Sequence, residues 1–148
     1  MLHIYTDGGC SGNPGPGGWA FIILRDEVLI AENWGVDKST TNNRMELKAV
    51  ISALEALPSV AEETSIEDVT VYTDSQYIQK GMTIWMKDWK IRGWKTSDKK
   101  PVKNQDLWQR LDTLAAGLPI SWTWVRGHAG DEYNERCDKL TQKAIASL

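Results

Sequence analysis

The sequence of 148 residues has few cysteines and no long apolar run, and these two features argue against a disulfide-bonded protein and a membrane-spanning protein, respectively. Cys10 and Cys137 are its only cysteines, and nothing in the sequence indicates secretion. We therefore expect two reduced thiols rather than a disulfide. No N-terminal stretch has the pattern of a signal peptide, and the apolar runs are far too short to cross a bilayer. These features predict a cytoplasmic protein without a membrane partner.

An excess of positive charge is also missing from the chain as a whole. Its 17 lysines and arginines against 20 aspartates and glutamates give a formal net charge of −3, which argues against a uniformly basic nucleic-acid-binding protein. The charge is nevertheless segregated. Residues 87–103 carry seven basic and two acidic side chains, a net charge of +5, so the remainder carries −8. We therefore predict an acidic body with one basic protrusion, and we call residues 82–103 the handle.

The rest of the composition fits one globular domain. Apolar residues make up 41% of the chain and charged residues 25%, which are ordinary values for a globular protein. A length of 148 residues suits a single compact core, and the sequence has no internal repeat or long linker. Residues 1–148 are therefore predicted to form one domain.

The first part of the chain predicts three strands joined by turns. Runs with strand character occur at 3–6, 19–24 and 28–34, and a segment rich in glycine and proline, 8–18, separates the first two. Strands this close in sequence are typical of an antiparallel meander.

The remainder alternates helices with strands. We predict helices at 40–57, 75–80, 105–116 and 131–148, short helical pieces with a loop at 82–94, and strands at 68–73 and 120–125. Pro58, Gly81 and Gly117 are expected to end the helices before them. The later alternation favours parallel pairing beside the meander. The predicted fold is α/β: a mixed five-stranded sheet, an antiparallel meander plus parallel strands, with helices on both faces.

Four acidic residues in distinctive local motifs indicate a cation site. They are Asp7 in Ile-Tyr-Thr-Asp-Gly-Gly, Glu46 in Thr-Thr-Asn-Asn-Arg-Met-Glu-Leu, Asp74 in Val-Tyr-Thr-Asp-Ser-Gln-Tyr and Asp138 in Asn-Glu-Arg-Cys-Asp-Lys-Leu. Clustered carboxylates repel one another and are costly to desolvate, so a fold that gathers them usually does so for divalent cations. Asp7 and Asp74 follow strands predicted to be neighbours, and Glu46 and Asp138 lie on helices that pack on the sheet.

Together these motifs closely resemble those of bacterial type 1 ribonucleases H, over nearly the whole chain from Tyr5 to Leu140. Beyond the acidic motifs, the resemblance rests on the glycine- and proline-rich segment after Asp7 and on two others. These are Trp-Lys-Thr-Ser-Asp-Lys-Lys-Pro-Val-Lys-Asn-Gln-Asp-Leu-Trp at 94–108 and Trp-Val-Arg-Gly-His-Ala-Gly at 124–130. Each segment alone is a weak signal, but all of them in this order are very specific.

The resemblance implies a ribonuclease H-like fold and an endoribonuclease that hydrolyses the RNA strand of RNA–DNA hybrids, leaving 5′-phosphate and 3′-hydroxyl ends. It implies two-metal-ion catalysis by Mg²⁺, with Mn²⁺ able to substitute, at a site formed by Asp7, Glu46, Asp74 and Asp138. In such a site one ion activates a water and the other stabilises the leaving oxygen. The resemblance also gives His128 a catalytic role in proton transfer or product release, for which an imidazole is suited.

The same resemblance implies two groups of substrate-binding residues. Those that correspond to contacts with the hybrid backbone in its minor groove, some through the RNA 2′-hydroxyl, are Gly8, Cys10, Asn13, Asn42, Asn43 and Gln76. Those that correspond to a pocket for a DNA phosphate are Asn13, Thr41 and Arg44, where a guanidinium fork beside small donors suits an anion. Turn or helix-cap roles are the alternative for the asparagines, and one residue can serve both purposes.

The handle resembles the family's hybrid-binding handle, in which cations neutralise phosphates and tryptophan packs on the nucleic acid. We expect substrate contacts in and beyond it from Trp85, Lys99, Lys100, Asn104 and Trp108. Trp89 and Trp94 are expected to pack within the handle. A solvated charged surface over a tryptophan core is the alternative interpretation.

Three other functions are compatible with part of the pattern. A different nuclease of the same broad fold, such as a Holliday-junction resolvase or a transposase core, lacks the asparagine-rich helix start and the basic handle. A hybrid-binding module without activity would need a broken carboxylate set, and this set is intact. A ribonuclease H domain excised from a reverse transcriptase is harder to separate, but the handle favours a free protein, which we expect to be a monomer.

Overall fold

The chain opens with the predicted antiparallel meander in a computed structural model that describes residues 1–60, 68–126 and 132–148, without the side chains of 59 and 60. Its strands are β1 (Leu2–Cys10), β2 (Gly15–Arg25) and β3 (Val28–Thr40). They are longer than predicted. The segment 8–18 was expected to consist of turns, yet Cys10 pairs with Gly17 and Gly15 with Thr40. Pairing with a neighbouring strand outweighs the low strand propensity of glycine.

Two further strands complete the mixed sheet. β4 (Val69–Thr73) pairs in parallel with β1, and β5 (Ile120–Trp124) pairs in parallel with β4. The strand order is β3-β2-β1-β4-β5, which puts β1 at the centre. The predicted combination of an antiparallel meander with parallel strands is confirmed.

The helices follow the predicted order with two differences. They are α1 (Asn42–Val60), α2 (Gln76–Lys80), α3 (Met86–Ile91), α4 (Gln105–Ala115) and α5 (Glu132–Ala146). Pro58 was expected to end the first helix, but it lies inside α1 near its end, where it lacks the N–H that would bond the carbonyl four residues earlier and its ring crowds that carbonyl. Gly81 was expected to end the second helix. Instead a π-helical turn, Gly81–Trp85, joins α2 to α3 without a break.

Helix signals read from the sequence are confirmed at two other ends. Ser75 caps α2, because its side-chain oxygen accepts a hydrogen bond from the Ile78 N–H at 3.2 Å. Gly117 follows α4 with a φ of +79°, a conformation that glycine adopts at low cost.

The helices cover both faces of the sheet, as predicted. On one face, apolar side chains of β1, β2 and β4 pack with those of α1, α2, α3 and α4, including Ile4, Phe21, Leu47, Val71 and Leu111. On the other face, Ala20, Ile22 and Leu24 of β2 form a smaller core with Cys137 of α5. Burying each large aliphatic side chain contributes about 1.5–3 kcal/mol. Among the helices that the structure describes, none is long and apolar enough to span a bilayer.

Candidate active site

The central strands hold two carboxylates side by side. β1 and β4 run in parallel with Tyr5 opposite Tyr72, so Asp7 and Asp74 each follow two residues beyond the same register position. Side chains alternate along a strand, which directs these two to one face. The parallel pairing that the sequence predicted is therefore what brings together residues 67 positions apart.

A glycine allows the third carboxylate to join them. A Cβ atom at Gly8 would overlap the main chain of Met45 and Glu46, so the absence of a side chain lets the start of α1 lie directly against β1. Glu46 then projects toward Asp7 and Asp74. One carboxylate oxygen from each of the three residues lies within 4.8 Å of the other two.

Helix α5, which packs on the face of the sheet opposite to α1, supplies Asp138. The Thr141 hydroxyl donates to the Asp7 main-chain carbonyl at 3.5 Å, and the Cys137 thiol donates to the carbonyl of Tyr5 at 3.3 Å. These bonds attach the helix to β1. Asp138, next to Cys137 in the chain, contributes to the negative potential at Asp7.

Burial and mutual repulsion raise the pKa values of two carboxyl groups in this cluster. Desolvation raises the pKa of Asp7 to about 8, and the charges of Asp74 and Asp138 add to the rise. Burial likewise raises the pKa of Glu46 well above its usual range, with further contributions from the charges of Asp7 and Asp74. Carboxyl groups in this state hold protons that a cation would displace.

One oxygen of the cluster lacks a partner. Oε1 of Glu46 is buried and accepts no hydrogen bond from any residue that the structure describes. The side chain is only 4% exposed, so water cannot reach it freely. A buried acceptor without a donor is costly unless a ligand satisfies it. Three carboxylates with an oxygen each within 4.8 Å of the other two, one of which also has an unsatisfied oxygen, fit a divalent cation.

The four carboxylates line a cleft of about 480 Å³. Five of the predicted substrate-binding residues line it together with them: Gly8, Cys10, Asn42, Asn43 and Gln76. The Cys10 sulfur also lies 3.2 Å from the carbonyl oxygens of both Gly15 and Thr40, which share its single S–H donor, so it connects the ends of the three meander strands.

A second cleft of about 390 Å³ lies beside the start of α1. Its lining residues are Asn13, Thr41, Asn42, Asn43, Lys103 and Asn104. Asn13 and Thr41 meet here as expected for a phosphate pocket. The Arg44 guanidinium instead pairs with the Asp106 carboxylate through two hydrogen bonds of 3.1 and 2.9 Å. Lys103 was counted from the sequence among the cations of the handle, and the fold places it in this cleft beside the start of α1.

Comparison with known proteins identifies the family. The RNase H family profile matches residues 1–146. The chain belongs to the RNase H family. It is 56% identical over 147 residues to the ribonuclease H of Paramagnetospirillum magneticum, covering 99% of this chain and 91% of that one. It is 51% identical to the ribonuclease H of Treponema denticola, covering 99% and 98%.

Solved structures of RNase H proteins share the fold. The crystal structure of LC9-RNase H1 superposes with a TM-score of 0.84 at 35% identity, covering 99% of this chain and 72% of that one. LC11-RNase H1, solved in complex with RNA/DNA hybrid, gives a TM-score of 0.77 at 27% identity, with coverages of 99% and 98%. The ribonuclease H-like fold and the family suggested by the motifs are both confirmed.

The substrate-side assignment of the tryptophans was partly wrong. Trp108 was expected to face the substrate, but its side chain is 0% exposed. Its ring packs against Trp89 at a centroid distance of 5.2 Å, and its indole N–H donates to the Tyr77 hydroxyl at 2.9 Å. The helical spacing of the tryptophans signals this burial. The ring centroids of Trp89 and Trp94 are 6.4 Å apart, which confirms that these two tryptophans pack within the handle.

The remaining predicted site residues differ in their exposure to solvent. Trp85 is half-buried against Trp89, whereas Lys99 and Lys100 are exposed in the turn of the handle. His128 lies outside the described residues. Sequence reasoning also missed Tyr77 and Gln142, which line the carboxylate cleft. Gln142 lies one helical turn after Asp138, and that spacing was an available signal.

Proposed function

We propose that this chain is an endoribonuclease that hydrolyses the RNA strand of RNA–DNA hybrids and leaves 5′-phosphate and 3′-hydroxyl ends. The observation that carries the proposal is the carboxylate cluster, in which Glu46 presents a buried, unsatisfied oxygen beside Asp7 and Asp74. Membership of the RNase H family and the similarity to a structure solved with RNA/DNA hybrid support the substrate class.

The residues that would hold two Mg²⁺ ions, or Mn²⁺ in their place, are Asp7, Glu46, Asp74 and Asp138. When bound, the ions supply an activated water and charge stabilisation at the leaving 3′ oxygen. The protein's own contribution is preorganisation. Asp7 and Glu46 are held by main-chain packing at Gly8, so their oxygens need little rearrangement when the substrate arrives. Binding of the cations would also offset the burial and the mutual repulsion that raise the pKa values of Asp7 and Glu46.

The two clefts suit the two strands of a hybrid. Asn42 and Asn43 line both, so one short segment at the start of α1 touches the cleft of the carboxylates and the neighbouring cleft of Lys103 and Asn104. We assign the RNA strand to the first cleft. Amide side chains there, with Gln76 and the main chain near Gly8, match the hydrogen-bonding needs of 2′-hydroxyl groups. The second cleft would bind a phosphate of the DNA strand.

The handle would add affinity rather than chemistry. Its net charge of +5 opposes the −8 of the body, so the phosphates of a hybrid would be attracted mainly there. Trp85 is the tryptophan of the handle that we assign to substrate contact. We further propose a single catalytic domain, residues 1–148, that acts as a monomer in the cytoplasm, with His128 assisting proton transfer or product release.

A substrate panel tests the function directly. Labelled RNA–DNA hybrid, duplex RNA, duplex DNA and single-stranded RNA are each incubated with Mg²⁺, with Mn²⁺ and with EDTA. We expect cleavage of the RNA strand in the hybrid only, loss of activity in EDTA, and 5′-phosphate ends on the products. Equal cleavage of hybrid and duplex RNA would refute the strand assignment, and cleavage in EDTA would refute the metal assignment.

A change of cation separates binding from cleavage. Ca²⁺ is larger than Mg²⁺ and takes ligand distances longer by roughly 0.3 Å or more, with irregular coordination. We therefore expect the hybrid to bind in Ca²⁺ without being cut. A gel-shift assay and a cleavage assay run side by side check this, and efficient cleavage in Ca²⁺ would contradict the geometry proposed for the site.

A further inference from the structure

A chain of hydrogen bonds through the Tyr77 hydroxyl connects the aromatic core of the handle with the cleft assigned to a phosphate. The hydroxyl oxygen accepts from the Trp108 indole N–H at 2.9 Å and from the Asn104 side-chain amide at 3.2 Å. The Asn104 amide oxygen in turn accepts from Arg44 at 3.3 Å. Arg44 completes the chain by pairing with Asp106 at 2.9 Å.

The direction of every bond in this chain is fixed by its two ends. An indole N–H and a guanidinium donate hydrogen bonds but cannot accept them. The Tyr77 oxygen must therefore be the acceptor from Trp108, and the Asn104 amide oxygen must face Arg44. A flipped Asn104 amide would set its NH₂ group against the guanidinium, donor against donor.

This arrangement assigns the two N–H groups of the Asn104 amide to different partners. One donates to Tyr77. The other is left for the cleft that Asn104 lines together with Asn13, Thr41 and Lys103. An amide N–H beside a lysine and a threonine hydroxyl is a set of donors suited to an anionic oxygen.

The Tyr77 ring is itself held in place by its aromatic neighbours. Its centroid lies 5.2 Å from that of Trp108 and 5.9 Å from that of Trp85. Trp108 occupies the space in front of Gly81, where an added Cβ atom would overlap the indole ring. The same tyrosine lines the carboxylate cleft, so one residue contacts both proposed strand-binding regions.

We propose that Tyr77 is a positioning residue for substrate binding, whose hydroxyl holds the Asn104 amide so that one N–H faces a phosphate of the DNA strand. The inference rests on the proposed function, because the phosphate belongs to the hybrid substrate. It adds a residue whose hydroxyl binds no phosphate oxygen itself and acts on that phosphate through Asn104.

The test compares Tyr77→Phe with Tyr72→Phe. Both changes remove one phenolic hydroxyl, and the Tyr72 hydroxyl bonds His3 at 2.9 Å, in a contact that includes neither Asn104 nor Trp108. Loss of one hydrogen bond at the phosphate cleft should raise KM for the hybrid by about three- to tenfold in Tyr77→Phe, with kcat nearly unchanged. Tyr72→Phe should keep the wild-type KM. A wild-type KM in Tyr77→Phe overturns the proposal.

A double-mutant cycle distinguishes positioning from a general structural role. If Tyr77 acts through Asn104, then Tyr77→Phe should raise KM no further in an Asn104→Ala background. A full additional rise in the double variant means that Tyr77 acts independently of Asn104, and the proposal falls. If the wild type cleaves the hybrid but the two substitutions raise KM additively, only the positioning role is refuted and the proposed function stands. Absence of wild-type cleavage overturns the function and, with it, the phosphate role.

A measurement on the wild-type protein covers the case in which Tyr77→Phe does not fold. Side-chain amide hydrogens are followed by nuclear magnetic resonance for Asn104 and for Asn33, which is exposed on β3. We expect one Asn104 hydrogen, the one bonded to Tyr77, to exchange about tenfold more slowly than those of Asn33. Equal exchange at both residues would show that the Asn104 amide is not held, which overturns the proposal.

Discussion

The carboxylate cluster and the handle are opposites in charge, burial and anchorage. Asp7 and Glu46 are 6% and 4% exposed and sit on main-chain elements in direct contact. Lys99 and Lys100 are exposed at the tip of a turn, where Lys99 has a φ of +62°. The cluster concentrates like charges at a high cost, whereas the handle spreads its positive charge over a solvated surface.

The difference follows from what each region is suited to do. Groups that stabilise charge during a reaction are most effective when desolvated and fixed, and their repulsion is relieved by cations. Groups that attract a polyanion act over several ångströms, need no fixed geometry and lose strength as salt rises. We therefore expect changes in the cluster to reduce kcat and changes in the handle to raise KM.

The largest expected effect is on catalysis by the cluster. Asp7→Asn keeps the size of the side chain but weakens it as a cation ligand, so hybrid cleavage should fall by about a thousandfold or more. Asp26→Asn is the control, because the Asp26 side chain is 76% exposed and pairs, among the described residues, only with the N-terminal ammonium. Steady-state kinetics with Mg²⁺ measures both. Near-normal cleavage by Asp7→Asn would contradict the expectation that the cluster governs kcat while the handle governs KM.

The same variant should reveal the cost of the cluster in stability. The folded-state pKa of Asp7 is raised from 3.8 to about 8, so in the absence of cations the folded protein binds a proton more tightly than the unfolded chain. Wild-type stability should therefore fall as pH rises from about 4 to about 8. Asp7→Asn lacks this penalty and should become more stable than the wild type by about 1–4 kcal/mol at the upper end of that range.

Urea unfolding in EDTA at several pH values checks this prediction. Near pH 4 the residue-7 side chain is uncharged in both folded proteins. Their free energies of unfolding should therefore agree within about 1 kcal/mol at that pH. Added Mg²⁺ should stabilise the wild type more than the variant. A stability difference that is independent of pH would mean that ionisation of the buried Asp7 carboxyl does not destabilise the folded protein.

A glycine pair tests how the handle is anchored. An added Cβ atom at Gly81 would overlap the Trp108 ring, so Gly81→Ala should lower the free energy of unfolding by about 1–3 kcal/mol and raise KM by displacing the aromatic core. Gly93→Ala has open space but a φ of +66°, so it should cost only about 1 kcal/mol. Denaturant unfolding of both variants ranks them. An equal or reversed ranking would contradict the packing described for Trp108.

The smallest expected effect is on affinity at the handle. Replacing Lys99, Lys100 and Lys103 with alanine should raise KM by about tenfold and flatten the slope of log affinity against log salt by up to roughly three units. The control removes Arg25, Arg110 and Arg136, which changes net charge equally outside the handle and both clefts. If the two triple variants show the same KM and the same salt slope, net charge alone governs affinity, and the special role assigned to the handle is refuted.

Local patterns were sufficient for much of the fold and for the acidic set. Alternation and helical periodicity predicted five strands and the order of the helices, and Ser75 marked a helix start that the structure confirms. The motifs around Asp7, Glu46 and Asp74 identified residues that the fold brings within 4.8 Å of one another. These features depend on short stretches of sequence, where side-chain pattern and backbone geometry are directly linked.

Other features escaped sequence reasoning because they depend on distant partners. Gly81 was expected to end a helix, but the Trp108 ring fills the space that a side chain would take, and the helix continues through a π-helical turn. Trp108 was assigned to the surface on its motif, yet the Tyr77 hydroxyl and the neighbouring rings bury it.

The sequence by itself determined the chemistry that is available: four carboxylates in their motifs, a basic handle on an acidic body, and the alternation of strands and helices. Only the tertiary structure decided which of these groups are desolvated and which partners they take. The raised pKa of Asp7, the pairing of Arg44 with Asp106 and the burial of Trp108 all arise from residues far apart in the chain. Desolvation and hydrogen bonding depend on three-dimensional neighbours, which packing establishes and a linear pattern does not specify.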